Sequence, residues 1–279
     1  MGILYLVATP IGNLEDITLR ALRVLKEVTL IAAEDTRTAR KLLTHFEIET
    51  RVTSYFEHNK LAKLDRILDA LEQGDVAVVS EAGMPGLSDP GYELVRGALE
   101  RGIRVVPIPG ANALTAALVA SGLPTDQFVY LGFLPRQKSA RRKLLQSVVD
   151  EPRTLVAYEA PHRIRASLED IADILGERSV CAARELTKVY EELFRGRVSE
   201  ARERFARTPP RGEFTLVIEG KTDGDRPEAE RDGDWDDARI REAVRDLIAA
   251  GMPRTDAVKQ VAQLSGHNRR QVYQLAISR

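Results

Sequence analysis

The chain has 279 residues, 43% of them hydrophobic and 30% charged, with 41 lysines and arginines against 42 acids and a formal net charge of −1. That length admits two domains of ordinary size. The near-neutral balance removes any global charge argument for a nucleic-acid partner, so only local basic runs can make one. Cys181 is the single cysteine, which excludes an internal disulfide or a thiolate metal cluster and suits a reducing compartment. "MGILYLVATP" has no basic region and too short an apolar run for a signal peptide, and no segment reaches the roughly 20 apolar residues that span a bilayer. A cytoplasmic location is expected.

Strand and helix patterns alternate from the first residue. "ILYLVAT" reads as a strand and "IGNL" as a turn, with Asp16 placed to cap a helix over "ITLRALRVLKEV". "TLIAA" is a second strand, stopped by "EDTRTARK". In "KLDRILDALEQG", Leu64, Ile67, Leu68 and Leu71 share one face and Gly74 ends the helix. Val76–Val79 is a buried strand that empties into "SEAGMPGLSDPG", whose polar groups are Ser80, Glu81, Ser88 and Asp89. "IRVVPIPGANALTAALVASGLP" repeats the pattern of strand, Gly/Pro loop and helix. Strands separated by helices predict βαβ units and a mostly parallel sheet, a first α/β domain over 1–123.

A second α/β domain is expected over 124–220. "TLVAYEAPHRI", "SVCAARELTKVYEEL" and "GEFTLVIEG" supply its strand candidates, with "RIRASLEDIADIL" helical between the first two. The stretch 221–237 holds eight acids against three bases and reads as a linker, bounded at 221–235. Three short amphipathic helices follow, so 236–279 is predicted to be a small helical unit resembling a helix-turn-helix.

Loops at the ends of parallel strands are where ligands sit. Glycine lets a ligand approach the backbone, and proline fixes the loop beforehand. Three such loops occur here: "VATPIGN", "SEAGMPGLSDPG" and "PIPGANAL". None is a dinucleotide fingerprint or a P-loop, which points to a ligand rich in hydrogen-bonding edges and poor in phosphate.

The run "LYLVATPIGNLEDITLRALRVLKEV", then "AAEDTRTARKLL", "SEAGMPGLSDPG", "PIPGANALTAALVASGLP", "GFLP", "YEAPHR", "RELTKVYEE" and "GEFTLVIEG", resembles the tetrapyrrole-methylase superfamily. Within it, the resemblance is to the bacterial 16S ribosomal RNA 2′-O-ribose cytidine methyltransferases. The likeness covers residues 3 to 220 in order, and the tail resembles that branch's helical extension. It implies two α/β domains around a cleft for S-adenosylmethionine, methylation of a cytidine ribose in the small subunit's RNA, and a homodimer. By motif position it also implies donor contacts from Pro10, Ile11, Met84, Pro85, Leu87, Asn112, Ala113, Tyr158, Ala183 and Thr215. Relatives that act on tetrapyrroles place an aspartate where Met84 stands. The alternatives are a small-molecule tetrapyrrole methyltransferase and a nucleic-acid-binding protein without catalysis. The basic tail, Met84 and the "EDTR" and "APHR" motifs weigh against the first, and the preformed loops against the second.

Methyl transfer to a ribose hydroxyl needs alignment and a proton acceptor. It requires no metal, and the four histidines show no ligand spacing. The candidates for the chemistry are Glu34, Asp35 and Arg37 after the second strand and His162 in "YEAPHR". Asp35 equally suits the N-cap of the next helix. Arg184, Glu185 and Lys188 of "RELTK" could pair within a dimer or hold RNA. RNA phosphates call for cations. "PRQKSARRK" offers Arg136, Lys138, Arg141 and Arg142, and the tail offers Arg269 and Arg270 at the start of its last helix.

Overall fold

The computed structural model describes residues 1–56, 60–207, 210–221, 235, 237–265 and 267–277. The chain forms two compact units, Met1–Asp225 and Arg226–Arg279. Most of the expected acidic linker lies outside the described residues.

The first unit begins with β1 (Ile3–Val7), α1 (Leu19–Glu27), β2 (Leu30–Ala33), α2 (Thr36–His45), β3 (Val52–Ser54), α3 (Lys60–Gln73), β4 (Val76–Val79), α4 (Tyr92–Glu100), β5 (Arg104–Ile108) and α5 (Ala113–Ala120). The five strands form a sheet in the order β3-β2-β4-β1-β5, and every pair in it is parallel. Helices cover both faces, so alternate residues of one strand feed two cores. Ala77 and Val79 pack with Ala21, Leu25 and Leu43 of α1 and α2. Val76 and Val78 pack with Ile67, Leu71 and Leu94 of α3 and α4. The helix after β1 is capped by Thr18, whose hydroxyl accepts from the Ala21 amide at 3.1 Å. Asp16, the expected cap, lies instead in a 3-10 turn, Leu14–Asp16, led by Asn13.

The second sheet comes from β6 (Phe128–Phe133), α6 (Lys138–Ser147), β7 (Thr154–Glu159), α7 (Ile164–Leu175), β8 (Ser179–Arg184), β9 (Glu192–Arg197), α8 (Val198–Arg207) and β10 (Phe214–Ile218). Its order is β6-β7-β10-β8-β9. Only β6 and β7 are parallel; β10 runs antiparallel to both neighbours, and β9 to β8. "SVCAARELTKVYEEL", expected as one strand, is therefore β8, a turn and the start of β9. Glu185 and Thr187 make that turn at φ 50° and 66°, without a glycine to announce it.

Helices α6, α7 and α8 cover one face of this sheet through Leu145, Ile171 and Phe205. The other face is covered by α5: Leu114, Ala117 and Leu118 pack on Val156, Cys181, Ala183 and Val217. The helix that leaves β5 of the first sheet thus packs on the second, which holds the two sheets together.

The second unit is three helices, α9 (Asp237–Ala249), α10 (Arg254–Ser265) and α11 (Arg269–Ile277). Its core contains Ile240, Val244, Val258, Val261 and Val272. Trp235 packs against it, with the Arg239 guanidinium 5.3 Å from the indole centroid. Among the described residues, no helix is long and apolar enough to cross a membrane.

Candidate active site

The parallel strands of the first sheet all end at one edge, and the loops after β1, β2, β4 and β5 face the second sheet across a cleft of about 790 Å³. That volume falls within the roughly 300–1,000 Å³ of small-molecule sites. The loop after β1 is tied to the Gly/Pro loop after β4 by two backbone hydrogen bonds, Thr9 N to Gly83 O at 2.9 Å and Gly83 N to Thr9 O at 3.0 Å. Gly83 needs its φ of 82° for this. Gly110, in the loop after β5, sits so close to the first loop that a Cβ there would stand 2.9 Å from the Ala8 Cβ. Asn112 closes this wall by capping α5, its Oδ1 accepting from the Leu114 amide at 2.9 Å and the Thr115 amide at 3.3 Å.

Of the residues expected from sequence, Pro10, Ile11, Met84, Leu87, Asn112, Ala113, Tyr158, Ala183 and Thr215 all line this cleft, as do Glu34 and His162. They come from both sheets. Pro85, an expected donor contact, is buried and does not line it, and neither do Asp35 and Arg37. Asp35 caps α2, accepting from the Arg37 amide at 2.7 Å and the Thr38 amide at 3.4 Å, and its other oxygen meets the Arg37 guanidinium at 2.9 Å. The Arg37 hydrogen bonds, side chain first and then amide, hold its pKa down to about 2. A carboxylate so occupied is a poor proton acceptor at neutral pH.

Glu34 stays at the rim, its Oε2 accepting from the Glu81 amide at 3.1 Å. Glu159 is buried. Its Oε1 takes the Ala160 amide at 2.8 Å and the Arg163 guanidinium at 2.6 Å, and its Oε2 pairs with the Ser167 hydroxyl. That knot fixes the "APHR" turn and leaves His162 exposed on the cleft wall. In the "RELTK" turn, Lys188 Nζ reaches Glu185 Oε1 at 2.9 Å and Glu213 Oε2 at 3.1 Å. Arg184 pairs with Glu192 at 3.0 Å. These charges are used within the chain.

The basic run after β6 divides. Arg136 and Lys138 are exposed. Arg141, expected to meet RNA, points inward: only 4% of its side chain is exposed, and it pairs with the buried Asp170 at 2.6 Å. Arg142 joins the same carboxylate at 2.8 Å and Asp173 at 2.8 Å. Burial alone would raise the Asp170 pKa, but the hydrogen bonds from Arg142 and Arg141 hold it below its ordinary value. Arg141 is a pin between α6 and α7, not a phosphate ligand. In the second unit, Arg269 and Arg270 are exposed at the start of α11. Asn268 caps that helix by accepting from the Arg270 amide at 2.9 Å.

Sequence reasoning passed over Asp89 as a site residue. Its carboxyl lines the cleft; burial first, then the charge of Glu34, push its pKa up to about 7. Ser88 and Phe133 also line the cleft unassigned, and Glu185 and Lys188, expected to pair within a dimer or hold RNA, line it too. Among the described residues, no group of three or more His, Cys, Asp or Glu side chains is arranged to hold a metal ion.

Comparison with known proteins agrees with this architecture. Residues 3–202 match the family Tetrapyrrole (Corrin/Porphyrin) Methylases, and residues 235–279 match the RsmI C-terminal HTH domain. The chain is 50% identical over 275 residues to Ribosomal RNA small subunit methyltransferase I of Halalkalibacterium halodurans, covering 98% of this chain and 94% of that one. It is 50% identical over 222 residues to the protein of that name from Thermotoga maritima, covering 79% of this chain and all of the relative. A crystal structure of diphthine synthase shares the fold, with a TM-score of 0.61 at 15% identity over 79% of this chain and 91% of that one. The chain therefore belongs to the tetrapyrrole methylases, alongside relatives that carry the name ribosomal RNA small subunit methyltransferase I.

Proposed function

We propose that the protein transfers a methyl group from S-adenosylmethionine to the 2′-hydroxyl of a cytidine ribose in 16S ribosomal RNA, acting as a cytoplasmic homodimer. The observation that carries the reading is the match along both units to relatives named as small-subunit RNA methyltransferases at 50% identity. The cleft is compatible with the donor, which supplies an electrophilic methyl on sulfur. Its size suits a nucleoside bearing an amino-acid arm. Its wall brings backbone close to the ligand at Gly83, is braced by the close approach of Gly110 to Ala8, and offers Asn112 and Thr215 as polar edges.

In this reading the chain's residues bind and orient the donor, shield it between the sheets and present it to the RNA. Arg136 and Lys138, and independently Arg269 and Arg270, supply cations for phosphates. The Thermotoga relative, matched over its whole length by 222 residues, is shorter than this chain by about the length of the second unit. This supports the first unit as the seat of the chemistry.

The test is incubation with methyl-labelled donor and, separately, small ribosomal subunits, protein-free 16S RNA and a porphyrinoid. Label in RNA, with a gap in the alkaline-hydrolysis ladder at a cytidine, is the expected result, because a methylated 2′-oxygen cannot attack its phosphate. Label in the porphyrinoid alone would overturn the reading. Sedimentation of the free protein checks the dimer.

A further inference from the structure

The cleft holds a carboxyl that this reading leaves without a task. Asp89 follows Ser88, itself at φ 64°, and stands on the cleft wall. Behind it Pro90 and Gly91 are buried. The groups that act on it come from several elements: Glu34 from the end of β2, and Ser80 and Glu81 from the end of β4. Its own charge is felt by the phenols of Tyr130 on β6 and Tyr158 on β7. These neighbours are all carboxylates or hydroxyls. Burial and the like charge of Glu34 therefore raise the affinity of Asp89 for a proton, and the Ser80 hydroxyl only partly offsets them.

Of the other acids near the cleft, Glu81 is exposed to solvent, Glu213 pairs with Lys188, and the rest have partners within the chain. Glu159 is enclosed by Arg163, Ser167 and the Ala160 amide. Glu185 is tied to Lys188 and the Glu213 amide. Asp35 caps α2 and does not itself line the cleft. Glu34 faces the cleft, but one of its oxygens is taken by the Glu81 amide. A general base works best when its affinity for protons matches the working pH, and paired carboxylates in contrasting surroundings separate into different roles.

Building on the methyl-transfer reading above, we propose that the cleft-wall residue Asp89 takes the proton from the attacking ribose hydroxyl, with Glu34 as the like charge beside it. As the oxygen bonds to the methyl carbon, the carbon–sulfur bond breaks and its electron pair leaves with sulfur as a neutral thioether. The hydroxyl proton passes to the Asp89 carboxylate. One positive and one negative charge disappear together, inside a partly dehydrated cleft where that cancellation is favourable.

The experiment is a single-turnover pH–rate profile with the full chain, labelled donor and small ribosomal subunits, together with calorimetric titration of the donor. The parent rate should rise with pH along one limb near neutrality. Asp89→Asn should lower transfer at least about 100-fold, lose that limb and keep donor affinity within about twofold. Glu34→Gln should lower transfer by less than Asp89→Asn does and move the limb to lower pH, because a like charge has gone. Asp89→Glu should restore part of the rate.

Asp89→Asn within about threefold of the parent would overturn the proposal. So would an Asp89→Asn protein that no longer binds the donor, or loss of both transfer and limb in Glu34→Gln, which would make Glu34 the base. Failure of the parent to label any RNA would instead remove the methyl-transfer reading, before any variant is made.

Discussion

Ser88 and Tyr130 join the two sheets across the cleft: the serine Oγ and the phenol oxygen lie 2.6 Å apart. Ser88 belongs to the loop after β4 and holds a left-handed φ of 64°. Tyr130 belongs to β6 and packs edge-on against Tyr158, with ring centroids 5.4 Å apart. A non-glycine residue keeps such a φ only where its surroundings insist on it. Tyr130→Phe should cost about 1 kcal/mol of stability and lower methyl transfer severalfold by loosening the loop that carries Asp89. Urea unfolding and a transfer assay check both parts.

Gly83 and Gly110 test whether the loops are built for a ligand. Valine at 83 would combine a β-branched side chain with a φ of 82° and a Cβ 3.4 Å from Ile11, a strain on the order of 1–3 kcal/mol. Valine at 110 would press on Ala8, already 2.9 Å from its Cβ. Each should weaken donor binding about tenfold or more in calorimetry, the equivalent of ~1.4 kcal/mol. Unchanged affinity in both would reduce the loops to turns.

The split within "PRQKSARRK" separates packing from RNA binding. Removing Asp170 with alanine strands the buried Arg141 and should cost about 3–5 kcal/mol in unfolding. Replacing Arg136 and Lys138 with alanine should change stability by less than about 0.5 kcal/mol. The same pair should flatten the salt dependence of RNA binding by roughly one unit for each phosphate no longer neutralised.

Asp89 also makes a prediction about pH and stability. Its ordinary value is 3.8 and its value in the fold is about 7, so between these limits the unfolded chain has released a proton that the folded chain still holds. The parent should therefore lose stability as pH rises from about 4 to 7 and then level off. Asp89→Asn removes that slope. Its unfolding free energy should gain on the parent's across this window, by on the order of 1–2 kcal/mol once solvent screening of a partly exposed group is allowed for. Calorimetric scans at pH 4, 6 and 8 without donor read the difference.

Deleting residues 236–279 should leave a protein that binds donor normally but methylates ribosomal subunits weakly, through reduced RNA affinity. Arg269→Ala with Arg270→Ala should reproduce part of this effect with a flatter salt slope. RNA binding at two salt concentrations decides the matter, and parental affinity in both proteins would take the tail out of the mechanism.

Much of the fold was legible because buried parallel strands are continuous apolar runs, as in "VAVV". Strand β3, three half-buried residues, carries no such signal, and the β8–β9 turn hides because Glu185 and Thr187 take conformations usually left to glycine. The strand-end loops announced the cleft through Gly and Pro. The inward turn of Arg141 had a local clue, since it lies one helical turn before the buried Leu145. Asp89 had none: its proton affinity depends first on burial and then on the charge of Glu34, and only the fold supplies either.

The last strand of the first unit to be synthesised is also the centre of its second sheet. β10 slots between β7 and β8, and Phe214 and Thr215 bring it to the cleft wall. Until it arrives, β7 and β8 have no shared partner, α5 has only part of the surface it packs on, and one side of the donor's berth is missing. A nascent chain therefore completes this wall of the cleft only at the end of the first unit's synthesis, while the second unit is still to be made.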